Sequence, residues 1–342
     1  MRAAMYYKNS DVRVQELPEP EIGNDEVLMK VHASGICGSD LMEWYRIKTA
    51  PRVLGHEVAG EIVQVGNNVK ALQVGQRVVV SHHVPCMECK YCKEGHESCC
   101  DTLRSTNFDP GGFSEMIRVP EINIKHGVFP IPEGTSYEAA SMTEPLACVL
   151  RAQRFANMKP GKTVFVIGSG ISGVLHMKLA RHLGASRIIA TDLEPWKVRM
   201  AGKWTEASFL SQGEVVEELR SHNDGCLADV VIICAGAPPA VQAGFKSVQR
   251  GGTVLLFAPP TPDQEVPLPL FQLWKDEVNV VTSYAGSPEN MREALSQISS
   301  DQVQVEDMIT HRLPLAEIQK GFDMMSNKGG EKCLKVIISP QE

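Results

Sequence analysis

The sequence predicts a two-domain α/β protein, in which an all-β barrel or sandwich precedes a doubly wound parallel sheet. Short strand-like runs, cut by glycine and proline, occupy residues 1–80. From residue 163 onward, strand-like and helix-like runs alternate along the chain. The length of 342 residues also suits two domains, each with its own core.

The strands of the first domain are predicted from alternating apolar and polar residues. Turn-forming residues separate these runs at spacings typical of an all-β domain. The runs are residues 12–15, 26–32, 60–65 and 77–80.

The most specific pattern of the chain is a glycine-rich turn between a strand and a helix. An apolar, β-branched run ends at Gly168, and a helical pattern follows Gly173. Gly168 permits a tight turn, Gly170 lets the backbone approach a pyrophosphate, and Gly173 lets helix and strand pack closely. A second strand then ends at Asp192. This βαβ context predicts a dinucleotide site, with the phosphates at the helix N-terminus.

Asp192 indicates which dinucleotide binds. A carboxylate after the second strand accepts hydrogen bonds from the ribose hydroxyls of NAD and repels the extra phosphate of NADP. Lys197 follows five residues later and brings a positive charge to the same region. We therefore expect NAD.

Composition excludes several classes of partner. A net charge of −7 and a pI near 5.9 argue against nucleic acid or an anionic membrane surface. The sequence has no apolar run long enough to span a membrane, and its first residues do not resemble a signal peptide. The ten cysteines do not form a disulfide-like framework, which favours a reducing cytoplasm.

A first metal site is predicted from donors in the β domain. Cys37, His56 and Glu57 offer sulfur, nitrogen and oxygen, a set that suits a catalytic zinc with an open position. In a regular strand His56 and Glu57 would point to opposite faces, so both can bind one ion only if the backbone bends. Glu144 is a further candidate. We expect Cys37 and His56 as fixed ligands, with Glu57 and Glu144 sharing the remaining positions with water or substrate.

A second metal site is predicted from cysteine spacing. Four thiols in one short loop are typical of a closed, tetrahedral structural zinc site. The predicted ligands are Cys86, Cys89, Cys92 and Cys100. Cys99 is adjacent, so the spacing alone leaves open which of the last two cysteines binds.

Taken together, these motifs resemble the zinc-containing medium-chain dehydrogenases, and among them the sorbitol (polyol) and threonine dehydrogenases. The resemblance covers essentially the whole chain and includes Gly-Ile-Cys-Gly-Ser-Asp, Gly-His-Glu and Glu-Pro segments. It implies a GroES-like domain, residues 1–150 with 286–342, and a Rossmann-type domain, residues 151–285. It also implies an active homodimer or homotetramer.

The resemblance further assigns roles around the cofactor and substrate. Ser39 would hydrogen-bond the substrate oxygen, whereas Met42 replaces a histidine that ends the family's usual proton relay. The proton could instead leave through Glu43, Tyr45, the ribose hydroxyls or water. Residues expected at the adenosine end of NAD are Ser172 and Lys197, and those expected near the nicotinamide are Phe257, Ala258, Pro259, Ser283, Tyr284 and Ala285.

The implied activity is the reversible oxidation of a secondary alcohol, polyol or sugar-like, to a ketone with NAD. Zinc would polarise the hydroxyl and Ser39 would pass its proton on. Related alternatives are L-threonine or another amino or simple alcohol as substrate. A zinc-free reductase would lack the metal donors, and a non-enzymatic relative would be expected to lose the donors or the glycine turn.

Overall fold

The computed structural model describes residues 1–258, 260–327 and 330–342, so Pro259, expected near the nicotinamide, lies outside the described residues. The described chain divides into two compact units. One comprises Met1–Ala147 with Ala285–Glu342, and the other comprises Cys148–Tyr284.

The strands follow the chain in order and carry the labels used below. They are β1 (Arg2–Lys8), β2 (Asp11–Glu16), β3 (Val27–Gly35), β4 (Arg52–Val53), β5 (Glu57–Val65), β6 (Arg77–Ser81), β7 (Met116–Val119), β8 (Val128–Pro130), β9 (Thr163–Ile167), β10 (Arg187–Asp192), β11 (Ala207–Leu210), β12 (Ala228–Ile233), β13 (Val248–Leu256), β14 (Asn279–Thr282), β15 (Ile309–Pro314) and β16 (Lys335–Ser339).

The α-helices are mostly short in the first unit and longer in the second. They are α1 (Glu43–Arg46), α2 (Lys90–Lys93), α3 (Asp101–Ser105), α4 (Glu121–Gly127), α5 (Tyr137–Ser141), α6 (Thr143–Phe155), α7 (Ile171–His182), α8 (Pro195–Ala201), α9 (Val215–Ser221), α10 (Pro238–Ser247), α11 (Leu270–Lys275), α12 (Pro288–Ser299) and α13 (Ile318–Met325). Within the described ranges, no helix is both long and apolar enough to cross a bilayer.

The first unit is built on two sheets. The larger has the order β15-β16-β3-β5-β6-β8, with β7 also paired to β3, and the smaller has the order β2-β1-β4. Alternate residues of β3, β5 and β6 point into one apolar core, as the alternation in the sequence predicts. Because β3 lies at the middle of the larger sheet, its C-terminal end and the residues after it are held firmly.

The second unit is a parallel sheet with the order β11-β10-β9-β12-β13-β14. This is the doubly wound order, which reverses direction between β9 and β12. β9 and β12 are almost entirely buried, as expected for central strands covered on both faces. The predicted fold class, a GroES-like β domain with a Rossmann-type sheet, is confirmed.

Candidate metal centres and dinucleotide turn

Cys37 lies where β3 ends and a short helical turn, Gly38–Leu41, begins. Its backbone N–H donates to the carboxylate of Asp40 at 3.1 Å. Its Sγ accepts a hydrogen bond from the N–H of Ser39 at 3.4 Å, and the hydroxyl of Ser39 lies at the same distance. These two donors orient the sulfur, and a cysteine binds a metal as the thiolate.

His56 faces Asp40 with one ring nitrogen and Ser39 with the other. Its Nδ1 lies 3.4 Å from Oδ1 of Asp40, which is fully buried, and its Nε2 lies 3.4 Å from Oγ of Ser39. A carboxylate behind a histidine fixes the tautomer of a metal-binding imidazole. Burial opposes a charged ring, but the negative charges of Asp40 and Cys37 outweigh it and raise the pKa of His56 well above its ordinary value. The same field favours a metal cation at Nε2.

Glu57 completes a compact set of donors. One ligand atom each from Cys37, His56 and Glu57 lies within 4.8 Å of the others. The alternation of a regular strand does not separate the last two, because β5 begins only at Glu57 and Gly55 has a φ of 90°. The chain therefore bends at the point where the sequence required a bend.

A lysine that sequence reasoning missed lies directly behind Glu57. The Nζ of Lys335, on β16, pairs with Oε2 of Glu57 and also donates to the carbonyl of Ile36 at 2.9 Å. Both charged side chains are essentially unexposed. A Cβ at Gly35 would overlap the carboxylate of Glu57, so only glycine fits opposite this pair. Lys335 therefore competes with a metal ion for the same carboxylate.

Glu144 lies in the first turn of α6 and is partly buried. The compact set formed by Cys37, His56 and Glu57 does not include it. Its role as a ligand remains a prediction.

Three further side chains around this set had no assigned role in the sequence. Asp40 belongs to the Gly-Ile-Cys-Gly-Ser-Asp segment, so its position was visible but its contact with His56 was not. Arg46 donates from Nε to the carbonyl of Ser39 at 2.9 Å and from Nη2 to its hydroxyl at 3.0 Å. The ring of His82 packs 4.8 Å from that of His56. No sequence pattern marks these contacts, because they depend on how the loops fold.

The four-cysteine site is formed as predicted in position. The sulfurs of Cys86, Cys89, Cys92 and Cys100 all lie within 4.8 Å of one another, and Cys99 is outside this group. Two of the separations are 3.5 Å, for Cys89 to Cys92, and 3.6 Å, for Cys86 to Cys100. A zinc ion with Zn–S bonds of about 2.3 Å requires sulfurs about 3.8 Å apart, so the set suits tetrahedral zinc. Backbone N–H groups of Glu88 and Cys89 lower the pKa of the Cys86 thiol.

The glycine turn joins β9 to α7 in the second unit. Gly168 has a φ of 97°, a left-handed value that favours glycine, and its N–H donates to the carbonyl of Thr191 at 2.9 Å. A Cβ at Gly173 would overlap the carbonyl of Gly168, whereas a Cβ at Gly170 would meet nothing within 4 Å. The turn is thus closed where helix and strand pack and open where a pyrophosphate would approach.

Asp192 is anchored at this turn by two backbone groups. Its Oδ2 accepts from the N–H of Ser169 at 2.7 Å, and its Oδ1 accepts from the N–H of Glu194 at 2.9 Å. Each oxygen keeps a further acceptor position for a hydroxyl donor. The carboxylate is therefore oriented and still able to bind a ribose.

The other residues predicted for the cofactor lie on several elements of the same unit. Ser172 is in the first turn of α7, and Lys197 is on α8 with its Nζ 5.7 Å from the Trp196 ring centroid. Ala258 follows β13 and donates to the carbonyl of Ile233 at 3.0 Å. After β14, Ser283 has a buried hydroxyl with no hydrogen-bond partner among the described residues, and Tyr284 is exposed. An orphaned buried hydroxyl is consistent with a polar ligand at this position.

Two models of known families match this chain. Residues 23–133 match the family model described as alcohol dehydrogenase GroES-like domain. Residues 173–300 match the model described as zinc-binding dehydrogenase.

Relatives and solved structures match over nearly the full length. The sorbitol dehydrogenase of Bacillus subtilis (strain 168) is 32% identical, covering 99% of this chain and 97% of its own. The L-threonine 3-dehydrogenase of Caldanaerobacter subterraneus subsp. tengcongensis is also 32% identical, covering 98% and 97%. A zinc-binding dehydrogenase of Sinorhizobium meliloti 1021, solved bound to NADP, has a TM-score of 0.88 and 29% identity, covering 99% of each chain.

The two domains and the donor sets thus define a zinc-dependent dehydrogenase. The chain belongs to the zinc-containing medium-chain dehydrogenase family, on its sorbitol dehydrogenase-like side, and is an enzyme that acts on alcohol groups. Its donors suit two zinc ions, and its glycine turn suits a nicotinamide dinucleotide.

Proposed function

We propose that this chain reversibly oxidises a secondary alcohol of the polyol or sugar-like class to a ketone with NAD. The observation that carries the proposal is the compact set of Cys37, His56 and Glu57, with Asp40 held behind the histidine. The sorbitol dehydrogenase relative supports the choice of substrate class.

In this proposal Cys37 and His56 would hold a catalytic zinc, and Glu57 and Glu144 would share the remaining positions with water or substrate. When bound, zinc supplies Lewis acidity and the nicotinamide supplies a two-electron acceptor. Asp40 keeps Nδ1 of His56 protonated, so that Nε2 is free to bind. Lys335 pairs with the carboxylate of Glu57 and would weaken its hold on the zinc, because the same carboxylate neutralises a buried ammonium.

Ser39 is the proposed contact for the substrate oxygen and the first carrier of its proton. Its hydroxyl accepts a hydrogen bond from Arg46 and directs its own proton to Sγ of Cys37, a proton that it would release as it takes up that of the substrate. Arginine stays protonated and cannot take the proton further. With Met42 in place of a relay histidine, we propose that water receives the proton from Ser39.

The second zinc would be structural. Cys86, Cys89, Cys92 and Cys100 supply four sulfurs and leave no open position for a substrate. We propose that this ion orders the loop from α2 to α3.

NAD is the proposed cofactor because the anchored carboxylate of Asp192 suits two ribose hydroxyls. Gly168, Gly170 and Gly173 would hold the pyrophosphate. Ser172 and Lys197 would flank the adenosine, while Ala258, Ser283 and Tyr284 would line the nicotinamide end. The proposed domains, 1–150 with 286–342 and 151–285, are supported by the compact units, which divide at nearly the same residues.

We also propose that the chain forms a homo-oligomer in the cytoplasm. In the described part of the sheet β14 is an edge strand, and on α11, which precedes it in the chain, Leu270, Phe271 and Trp274 are 70%, 71% and 75% exposed. Exposed apolar patches beside open strands are typical of interfaces, and a second copy could extend the sheet. All ten cysteines are described and none is in a disulfide, which agrees with a reducing compartment.

A threonine-type amino alcohol is the second candidate substrate, favoured by the L-threonine 3-dehydrogenase relative. A direct test measures NADH formation by the zinc-loaded chain over polyols, amino alcohols and simple secondary alcohols. We expect polyols to give the highest kcat/KM. A higher value for L-threonine would replace the first candidate with the second, and no NADH from any alcohol would overturn both.

A further inference from the structure

One arginine touches Ser39 next to the predicted catalytic metal set, and a second lies on β4, shortly before His56 in the chain. The guanidinium of Arg46 donates to both oxygens of Ser39, as described above, and its Nη2 lies 3.7 Å from Oδ1 of Asp40. Arg46 is mostly buried, with 16% of its side chain exposed. A cation is therefore one hydrogen bond from the hydroxyl proposed to contact the substrate.

The second arginine, Arg52, lies on β4 opposite Tyr6 and is partly buried. Its guanidinium makes no hydrogen bond or ion pair with any residue in the ranges 1–258, 260–327 and 330–342. Burial lowers the pKa of Arg52, and the positive charge of Arg46 lowers it further. The two cations thus lie close enough to repel each other.

The nearby negative charge is shared among several groups, and that of Asp40 also acts on Arg52. The carboxylate of Asp40 is shared by the N–H of Cys37, the ring of His56 and Arg46. Glu43, on the same short helix as Arg46, accepts from the backbone N–H of Asn9 at 2.7 Å. The nitrogens of Arg52 are not among the buried atoms that lack a partner, so they stay open to water and to an acceptor from outside the chain.

We propose that the alcohol substrate carries an oxyanion, a carboxylate or a phosphate, and that Arg46 and Arg52 bind it. This inference rests on the proposed function and narrows its substrate class. The planar guanidinium donates two parallel hydrogen bonds to a carboxylate or phosphate, whereas a neutral hydroxyl leaves its charge unbalanced. The arginines take no part in bond changes: the carbon loses a hydride to NAD, and the hydroxyl proton leaves to solvent.

The test compares three substrates of one chain length with the zinc-loaded enzyme and NAD: a hexitol, its monophosphate and the corresponding aldonate. We expect at least one anionic compound to exceed the neutral hexitol in kcat/KM by about 10- to 100-fold, as for hydrogen bonds between charged groups. The phosphate and carboxylate arms distinguish the two oxyanions. Added salt should reduce the advantage of the anionic compound, because it screens partly exposed charges.

Substitutions at Arg52 test whether this residue causes the preference for an anionic substrate. Arg52→Gln should reduce the anionic-to-neutral ratio of kcat/KM about 10-fold or more, and Arg52→Lys should retain part of it. The matched control is Arg13→Gln, at an exposed arginine paired with Asp11. Inorganic phosphate should inhibit competitively against the alcohol, with a weaker effect on Arg52→Gln.

The outcomes separate the two levels of the proposal. If the enzyme oxidises neither the three compounds nor any alcohol of the wider panel, the proposed function is overturned. A neutral hexitol oxidised as well as both anionic compounds would overturn the inference alone. The inference would also be overturned if Arg52→Gln and Arg52→Lys shift the ratio no more than Arg13→Gln does.

Discussion

The two predicted metal centres of the first unit are built in opposite ways. The four-cysteine site draws all its donors from one segment, residues 86–100. The Cys37 set joins donors from the end of β3 and the start of β5, and its Glu57 pairs with Lys335, which is 278 residues away. One site depends on local chain geometry, and the other depends on the whole sheet.

The groups around the two centres also differ: they are mostly backbone groups at the four-cysteine site and mostly charged side chains at the Cys37 set. Around Cys86 the hydrogen bonds to sulfur come from neighbouring backbone N–H groups. Around the Cys37 set the sulfur also accepts a backbone N–H, but charged side chains hold the other groups: Asp40 faces His56, Lys335 pairs with Glu57, and Arg46 binds Ser39. A closed site needs only spacing and thiolates, whereas a site that exchanges ligands needs charges placed by tertiary structure.

The largest loss of activity is expected for a substitution at Cys37. Cys37→Ser should lower kcat/KM by at least about 1,000-fold and remove one of the two zinc ions, since a zinc Lewis acid supplies several kcal/mol. The dinucleotide should still bind. Cys226→Ser, at an exposed cysteine, is the control. Steady-state kinetics and metal analysis check the result, and unchanged activity in Cys37→Ser would remove the zinc mechanism.

Removal of Lys335 tests whether tertiary charge supports the Cys37 set. Lys335→Met leaves the buried carboxylate of Glu57 unpaired, and breaking such a pair lowers the free energy of unfolding by about 3 to 5 kcal/mol. Lys320→Met, at an exposed lysine, should change it by less than about 0.5 kcal/mol. Denaturant unfolding measures both. Equal stability of the two variants would mean that Glu57 does not depend on Lys335.

Substitutions at two adjacent cysteines test which of them is the fourth ligand of the four-cysteine site. Cys100→Ser should lose the structural zinc and lower the free energy of unfolding by about 2 to 3 kcal/mol, whereas Cys99→Ser should retain the ion. Metal analysis and thermal melting distinguish the pair. The opposite pattern would assign the fourth position to Cys99.

Asp40 tests the charge behind the histidine. Asp40→Asn keeps an acceptor for the N–H of Cys37 but loses the negative charge that orients His56. Affinity for the catalytic zinc should fall about 10- to 100-fold. Asp25→Asn, at an exposed residue, controls for the loss of a surface charge. Zinc titration against a competing chelator measures the change, and equal affinities would assign Asp40 a purely structural role.

The smallest expected effect concerns the cofactor. Asp192→Asn keeps an oxygen acceptor for Ser169 but removes the charge that would repel a ribose phosphate. The NAD-to-NADP ratio of kcat/KM should fall about 10-fold. Steady-state kinetics with each cofactor measures it. A ratio that does not move would mean that another group selects the cofactor.

Local patterns carried most of what the sequence could predict. The glycine turn, α7, β10 and the four-cysteine loop each depend on residues within about 30 positions of one another, and all lie where expected. Cys37, His56 and Glu57 could be predicted as donors to one metal ion because their residue types suit zinc. The sequence also set the condition that the chain must bend at His56, and Gly55 provides the bend.

The unpredicted part is the set of long-range contacts. Lys335 stands in an apolar strand run, where a single lysine is the only signal, and its partner is nearly a whole chain length away. Arg46 reaches Ser39 through the fold of a short helix that no periodicity marks. α12 was also missed, although Ser287 caps it and Pro288 stands in its first turn, both recognisable start signals.

The most direct test of the two proposed zinc sites is anomalous diffraction at the zinc edge, from crystals of the zinc-loaded chain. The account predicts one peak among the sulfurs of the four-cysteine loop and a second bonded to Sγ of Cys37 and Nε2 of His56. An ion at the first position alone, or a second ion held by other donors, would contradict it.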